Sequence, residues 1–380
     1  MIRVMHEFTK ITTSLALYEA ARIAIECSLN VKKNEQVLII SNPEAEVASI
    51  AAALYEAAAR IGAQPVLIFQ QKKDQFSFAE PAVIAAFYAK PEVVISLSAD
   101  KLGKDKIGIA KPYSYGNCTY DHIFHRLMYG EKITRAFWSP GVTVDSFCRT
   151  VPIDYLMLQK RCARIKALLD QAVEIHITAP GGTDFRCSLK NRLAKTDDGD
   201  FSSGGKGGNL PAGETFISPE NGSASGVIVF DGSISLSSSD LVIRKPIVCT
   251  LEQGFVTALT GAEEAAALLH TITEAEEKAR LFEREGKISE GLGEQYARNA
   301  RNIGEIGIGL NPSATITGNM LEDEKAFHTC HFALGHNYDD DAPALIHLDG
   351  LVKDPTIIVR AKDGIETVIE QDGELEHPMQ

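Results

Sequence analysis

The stretch EQVLIISNPEAEVASIAAALYEAAARIGAQPVLIFQ, residues 35–70, places an Ala-rich amphipathic pattern between two short apolar runs. EQVLIISN (35–42) and QPVLIFQ (64–70) read as strands, because each is a continuous β-branched and apolar run bounded by turn formers. EAEVASIAAALYEAAARIGA (44–63) has helical spacing and ends at Gly62, a C-terminal helix stop. Strands buried on both faces and joined by a helix belong to a parallel sheet with right-handed crossovers.

Outward from that unit the pattern continues. LALYEAARIAIECSL (15–29) has helical spacing after Ser14, a plausible N-cap, PAVIAAFYAK (81–90) reads as a helix and EVVISLSA (92–99) as a third strand. The expected fold class is therefore α/β plus α+β. A doubly wound open parallel sheet over residues 1–160 precedes a mostly antiparallel α+β domain over 161–380 that carries the chemistry. The first domain lacks a nucleotide fingerprint, since SNPEAE follows the first strand where GxGxxG is required. The Gly-rich run SSGGKGGN (202–209) lacks the Ser/Thr and the setting of a phosphate loop, and reads as a flexible surface loop.

VPIDYLMLQKRCARIKALLDQA (151–172) reads as the linking helix. Beyond it, AVEIHITA (172–179), FRCSL (185–189), GVIVFDGSISL (226–236), LVIRKPIVCTL (241–251), PTIIVR (355–360) and IETVIEQ (365–371) read as strands, with one long helix near 261–283. The polar, Tyr-rich segment 100–135 has the character of a lid or interface, and its His122 and His125 read as a surface or interface pair.

Composition limits the function. A net charge of -13 repels phosphate backbones and anionic lipid, so nucleic acid and membrane surfaces are not expected partners. MIRVMHEFTK has no long apolar core and no run reaches about 18 apolar residues, so a cytoplasmic location is expected. Seven scattered cysteines without a CxxC pair read as reduced thiols.

Chemistry gathers in HTCHFALGHNYDDDAPALIHLD (328–349), which carries His328, His331, His336, Tyr338, His347 and Asp349. ALIHLDGLV reads as a strand, so His347 and Asp349, two apart, point to one face and present an imidazole beside a carboxylate. A zinc or cobalt ion takes such a pair, although a His–Asp hydrogen bond at a strand edge also accounts for it. Glu214, in an apolar turn, and Glu305, in the Ile/Gly run NIGEIGIGL, are costly to ionise without a cation. A metal serves, or an arginine such as Arg298 or Arg301.

GNLPAGETFISPENGSASGVIVFDGSI, NIGEIGIGLNPSATITGNMLEDEKAFHTCHFALGHNY and IHLDGLV together resemble the thermophilic aminopeptidase T and aminopeptidase S family of dinuclear metallopeptidases. The resemblance implies a two-metal site of Glu214, Glu305, His331, Tyr338, His347 and Asp349. It also implies a metalloaminopeptidase, a hydrolase with two Zn, Co or Mn ions per chain, a peptide substrate with a free N-terminus, and a homodimer. Gly213 stands where that family has a glutamate. In the implied chemistry a metal-activated water hydrolyses the N-terminal peptide bond, with Glu305 as the bridging or proton-shuttling carboxylate and Glu214 second. His328 and His336 are expected to be spare.

Two other readings stand beside it. Some proteins of similar fold are mononuclear Fe(II) ring-cleaving dioxygenases of dihydroxypyridines, for which His347 and Asp349 would begin a two-His, one-carboxylate triad. The resemblance to them implies a histidine where this chain has Glu305, and that glutamate, with Glu214, His331 and Tyr338, argues for two metals and against the dioxygenase. The other alternative is a catalytically silent relative that binds a peptide or small molecule.

Overall fold

The computed structural model describes residues 13–74, 77–237 and 239–376, so the N-terminal decapeptide lies outside the described residues. Two compact units emerge, Met1–Leu156 with Gly199–Ala212, and Met157–Asp198 with Gly213–Gln380. After entering the second unit, the chain returns to the first for 14 residues, from 199 to 212.

The first unit is built on a parallel sheet. Strands β1 (Gln36–Ser41), β2 (Gln64–Phe69), β3 (Val93–Leu97) and β4 (Arg135–Trp138) lie in the spatial order β4, β3, β1, β2. Val93–Leu97 is buried at every position, as a central parallel strand covered on both faces requires. Helix Ala45–Arg60 buries Val47, Ile50, Leu54 and Ala58, a stripe at helical spacing, and provides the crossover between β1 and β2. Gly207–Asn209 pairs in parallel with β4. The Gly-rich run is thus a fifth strand and not the expected surface loop. A Cβ at Gly207 would lie 2.7 Å from the Ala136 carbonyl oxygen, so the close backbone approach demands glycine there.

The second unit is made of two antiparallel sheets. One has eight strands, with 225–230, 184–188, 172–178 and 356–361 at its centre. The other has seven and contains β5 (Glu214–Ile217), β6 (Ile303–Gly309), β7 (Thr329–Gly335) and β8 (His347–Lys353), adjacent in the order β5, β6, β7, β8. Phe185 of the first sheet and Phe332 of β7 meet with ring centroids 4.8 Å apart and form part of the core. The expected long helix is Glu263–Arg284 and the linking helix is Tyr155–Gln171. All seven cysteines are free thiols. Among the described residues no helix is long and apolar enough to cross a membrane.

Candidate metal centre

Register places the site. Across β6, β7 and β8, Glu305 pairs with Ala333 and Ala333 with Asp349, while Gly307 pairs with His331 and Gly335 with His347. On the other side of β6, Gly309 pairs with Glu214 and Glu214 with Asp197. Paired residues share a face, and so do residues two apart along a strand. Asp197, Glu214, Glu305, His331, His347 and Asp349 therefore stand on one face, interleaved with Gly307, Gly309, Ala333 and Gly335. The opposite face, through Phe332 and Ile306, belongs to the core.

The small residues make the room. A Cβ on Gly307 would lie 2.0 Å from the His331 imidazole Nε2, so that ring occupies the space above the glycine. The alternation Glu-Ile-Gly-Ile-Gly in β6 is a strand with one functional carboxylate and a floor for its neighbour's imidazole.

Two groups of ligand atoms converge, each with its atoms within 4.8 Å of one another. They are Glu305, His347 and Asp349, and Glu214, Glu324 and His331. In the first, His347 Nε2 lies 3.3 Å from Asp349 Oδ1 and 3.6 Å from Glu305 Oε2. His347 Nδ1 donates to the His336 carbonyl at 2.8 Å, which fixes the ring and turns Nε2 toward the two carboxylates. His331 Nε2 is 3.2 Å from Glu305 Oε1 and 3.3 Å from Glu214 Oε2, linking the groups.

A cation fits the first group. Glu305 Oε2 and Asp349 Oδ1 are buried oxygens that accept no hydrogen bond among the described residues. One imidazole and two carboxylates form an N, O, O set suited to Fe(II), Mn(II) or Zn(II). Because Glu305 takes part, this is one imidazole with two carboxylates, a departure from the two-His, one-carboxylate triad.

Three residues that no motif indicated complete the pocket. Lys325 is fully buried, with its Nζ 2.6 Å from Glu214 Oε1, hydrogen-bonded to Glu324 and 3.8 Å from Asp197 Oδ2. The cation that accompanies Glu214 is therefore Lys325; Lys206, the nearest basic residue in sequence, pairs with Asp200. Arg301 pairs with Glu276 and Arg298 lies over Phe255, so neither arginine serves Glu305. The run Glu322-Asp323-Glu324-Lys325 could have been noticed only by asking why four consecutive charges follow an apolar helix turn.

Five carboxylates against one ammonium set the electrostatics. Burial raises Asp197 well above the usual carboxylate range, and raises Glu305 as well. Burial also pushes Glu324 up to about 8, although Lys325 opposes it. Burial would lower both histidines, yet Glu305 and Glu214 lift His331 to about 9, and Asp349 and Glu305 lift His347 to about 10. Against its own burial, Asp349 is held at about 2, chiefly by His347. The Lys325 ammonium, which burial alone would deprotonate, is held charged by Glu214, Glu324 and Asp197.

Tyr338 borders the site, where burial and the nearby Glu305 and Asp349 carboxylates raise the pKa of its hydroxyl. Its ring is 5.2 Å from the His347 ring and 5.2 Å from Phe216, and the residue is half exposed. His328 bonds through Nδ1 to the Gly373 carbonyl, and the His336 side chain faces Asp340 at 3.7 Å. Neither imidazole enters the centre, although the His336 backbone orients His347. Asp339 and Asp341 pair with Arg192, which gives part of the acidic loop a structural partner. His122 and His125 belong to the other unit, where His122 is buried with both ring nitrogens engaged by backbone.

Residues 143–334 match the family model described as NicX: 2,5-dihydroxypyridine 5,6-dioxygenase. The chain belongs to the NicX family. A curated relative, the 2,5-dihydroxypyridine 5,6-dioxygenase of Pseudomonas putida KT2440, is 32% identical over 111 residues, which span 29% of this chain and 31% of that protein. The solved 2,5-dihydroxypyridine dioxygenase from Pseudomonas putida KT2440 superposes with a TM-score of 0.67 at 20% identity, over 95% of this chain and 97% of its own. Wild-type AmpT from Thermus thermophilus gives 0.64 at 16% identity, over 95% and 98%. At those identities the two structures share the fold.

NicX membership corrects the expected activity. The resemblance to aminopeptidases T and S holds for the fold, which AmpT shares, and fails for the reaction. Metalloaminopeptidase, hydrolase and free-amino peptide substrate are overturned by the family match and the curated relative, which point to an oxidoreductase. The physical reason is that strand register and Glu/His/Asp spacing record how a cation is held, and one such scaffold supports unrelated chemistries. Of the expected zinc, cobalt or manganese pair, metal binding itself is what the ligand geometry supports.

Proposed function

We propose that this chain is a metal-dependent ring-cleaving dioxygenase acting on a hydroxylated pyridine ring at a mononuclear centre formed by Glu305, His347 and Asp349. The observation that carries the reading is the NicX match over residues 143–334. The three converging ligands, two with buried oxygens lacking hydrogen bonds among the described residues, offer a cation position, with Glu305 standing where the two-His triad has a histidine. Held there, a divalent iron would supply the redox chemistry that opening an aromatic ring with dioxygen requires.

The chain's own residues supply the rest. His331 carries a proton between Glu305 and Glu214, within about a hydrogen bond's reach of both, and is suited to exchange a proton with a ring hydroxyl. The rings of Phe216, Tyr338 and His347 form a wall beside the ligands against which a planar ring can lie. His336, through its carbonyl, keeps His347 Nε2 aimed inward.

The test is oxygen uptake. Protein loaded anaerobically with Fe(II) and mixed with 2,5-dihydroxypyridine in aerated buffer is expected to consume one dioxygen per ring lost, with the ring absorbance falling in step. Asp349→Asn should abolish both. Its metal affinity should fall by at least the ~10–100-fold that follows loss of a supporting partner. No uptake by loaded wild-type protein on any of a panel of hydroxypyridines sinks the reading.

A further inference from the structure

The group formed by Glu214, Glu324 and His331 has the geometry of a second cation position, with its ligand atoms as closely gathered as those of Glu305, His347 and Asp349. What distinguishes it is Lys325. That side chain is fully buried, and its Nζ donates to Glu214 Oε1 at 2.6 Å and to Glu324, two of the group's three members. Asp197, also buried, lies 3.8 Å from the same ammonium. One oxygen of Glu214 and one of Glu324 are thus already turned toward a covalently tethered cation, while Glu214 Oε2 faces His331 Nε2 at 3.3 Å and accepts no hydrogen bond among the described residues. The first group meets the His331 imidazole at Glu305 Oε1, 3.2 Å away, and its buried oxygens Glu305 Oε2 and Asp349 Oδ1 accept no hydrogen bond among the described residues.

We propose that Lys325 is a built-in cation that fills the second position of a two-cation pocket and limits the centre to one metal ion per chain, at Glu305, His347 and Asp349. The inference rests on the mononuclear centre assigned above, and it concerns stoichiometry, not the reaction. An ammonium balances one unit of charge and makes hydrogen bonds with no fixed coordination geometry. It keeps Glu214 and Glu324 from converging on a divalent ion, and it leaves His331 free to hold a proton. Lys325 acts on the metal through these carboxylates and is a positioning residue.

Metal stoichiometry tests it without any turnover. Metal-stripped full-length protein is titrated with Mn²⁺, bound metal is counted by elemental analysis, and the spin resonance of the bound ions reports whether two lie close enough to couple. Wild type is expected to bind one uncoupled Mn²⁺ per chain, and Lys325→Ala to bind two that couple. Two ions in wild type overturn the proposal, as does a folded Lys325→Ala that still binds one. If Lys325→Ala does not fold, wild-type crystals soaked in Mn²⁺ decide the matter through anomalous scattering. One peak between Glu305, His347 and Asp349 supports the assignment, and a peak between Glu214, Glu324 and His331 refutes it. If oxygen uptake fails while these counts hold, the dioxygenase reading falls and the role of Lys325 stands.

Discussion

His347 has its Nδ1–H committed to the His336 carbonyl, and its Nε2 must lose a proton before it can bind a metal. With its pKa pushed up to about 10 by Asp349 and Glu305, that proton is present at neutral pH. Metal binding should therefore release it, and apparent affinity should rise by about tenfold per pH unit between pH 7 and 9. Mn²⁺ titrations across that range check the slope, and a slope of two protons would place His331 among the ligands. Gly307 sets a second constraint at this scale. Gly307→Ala puts a Cβ against the His331 ring, and overpacking of this kind costs about 1–3 kcal/mol, measurable by denaturant unfolding. The sequence made Glu305, His347 and Asp349 legible, because a carboxylate in an Ile/Gly strand and an imidazole two residues from a carboxylate are conspicuous. Lys325 was not legible, since a lysine in an acidic run ordinarily lies at the surface.

Residues 311–325, between β6 and β7, determine where that lysine goes. Asn311 N–H bonds to the Lys325 carbonyl and closes the loop on itself. Glu322, buried, accepts from the Thr315 N–H, and Asp323, fully buried, accepts from the Thr317 and Gly318 N–H groups. These carboxylates act as local folding ligands, and their bonds aim the next two residues, Glu324 and Lys325, into the pocket. Replacing Asp323 by Ala should destabilise the fold by about 3 kcal/mol, because each hydrogen bond to a charged group contributes ~1.5–3 kcal/mol. Thermal unfolding of D323A against wild type measures it, and an unchanged midpoint would show that the loop is held by other contacts. In the first unit Arg135 has a comparable role. Its buried guanidinium bonds to Glu35 and to the carbonyls of Leu29 and Asn30. Glu35→Ala leaves that charge under-compensated and should cost about 3–5 kcal/mol.

Each of the two units has its own sheets and buried core, so unfolding need not be two-state. Every residue of the proposed metal centre lies in the second unit. Metal loading should therefore stabilise the second unit only, by about 2.7 kcal/mol when free metal is 100 times its dissociation constant, and raise the midpoint of that unit's transition alone. Calorimetry with and without chelator checks this, with Glu35→Ala marking the first unit's transition.

The sequence by itself determined what depends on local pattern. It separated a parallel α/β unit from an antiparallel one, because strands covered on both faces and strands covered on one face have different hydrophobic periods. It also put His347 and Asp349 side by side on one face, because side chains two apart on a strand share a face. Tertiary structure alone decided the return of 199–212 to the first unit, since only pairing with β4 makes a strand of a Gly-rich run. It alone decided that Glu214, 111 residues before Lys325 in the chain, is charge-paired with it. Contacts that span such separations leave no periodic trace in the chain, because they are set by register between strands and not by spacing along one.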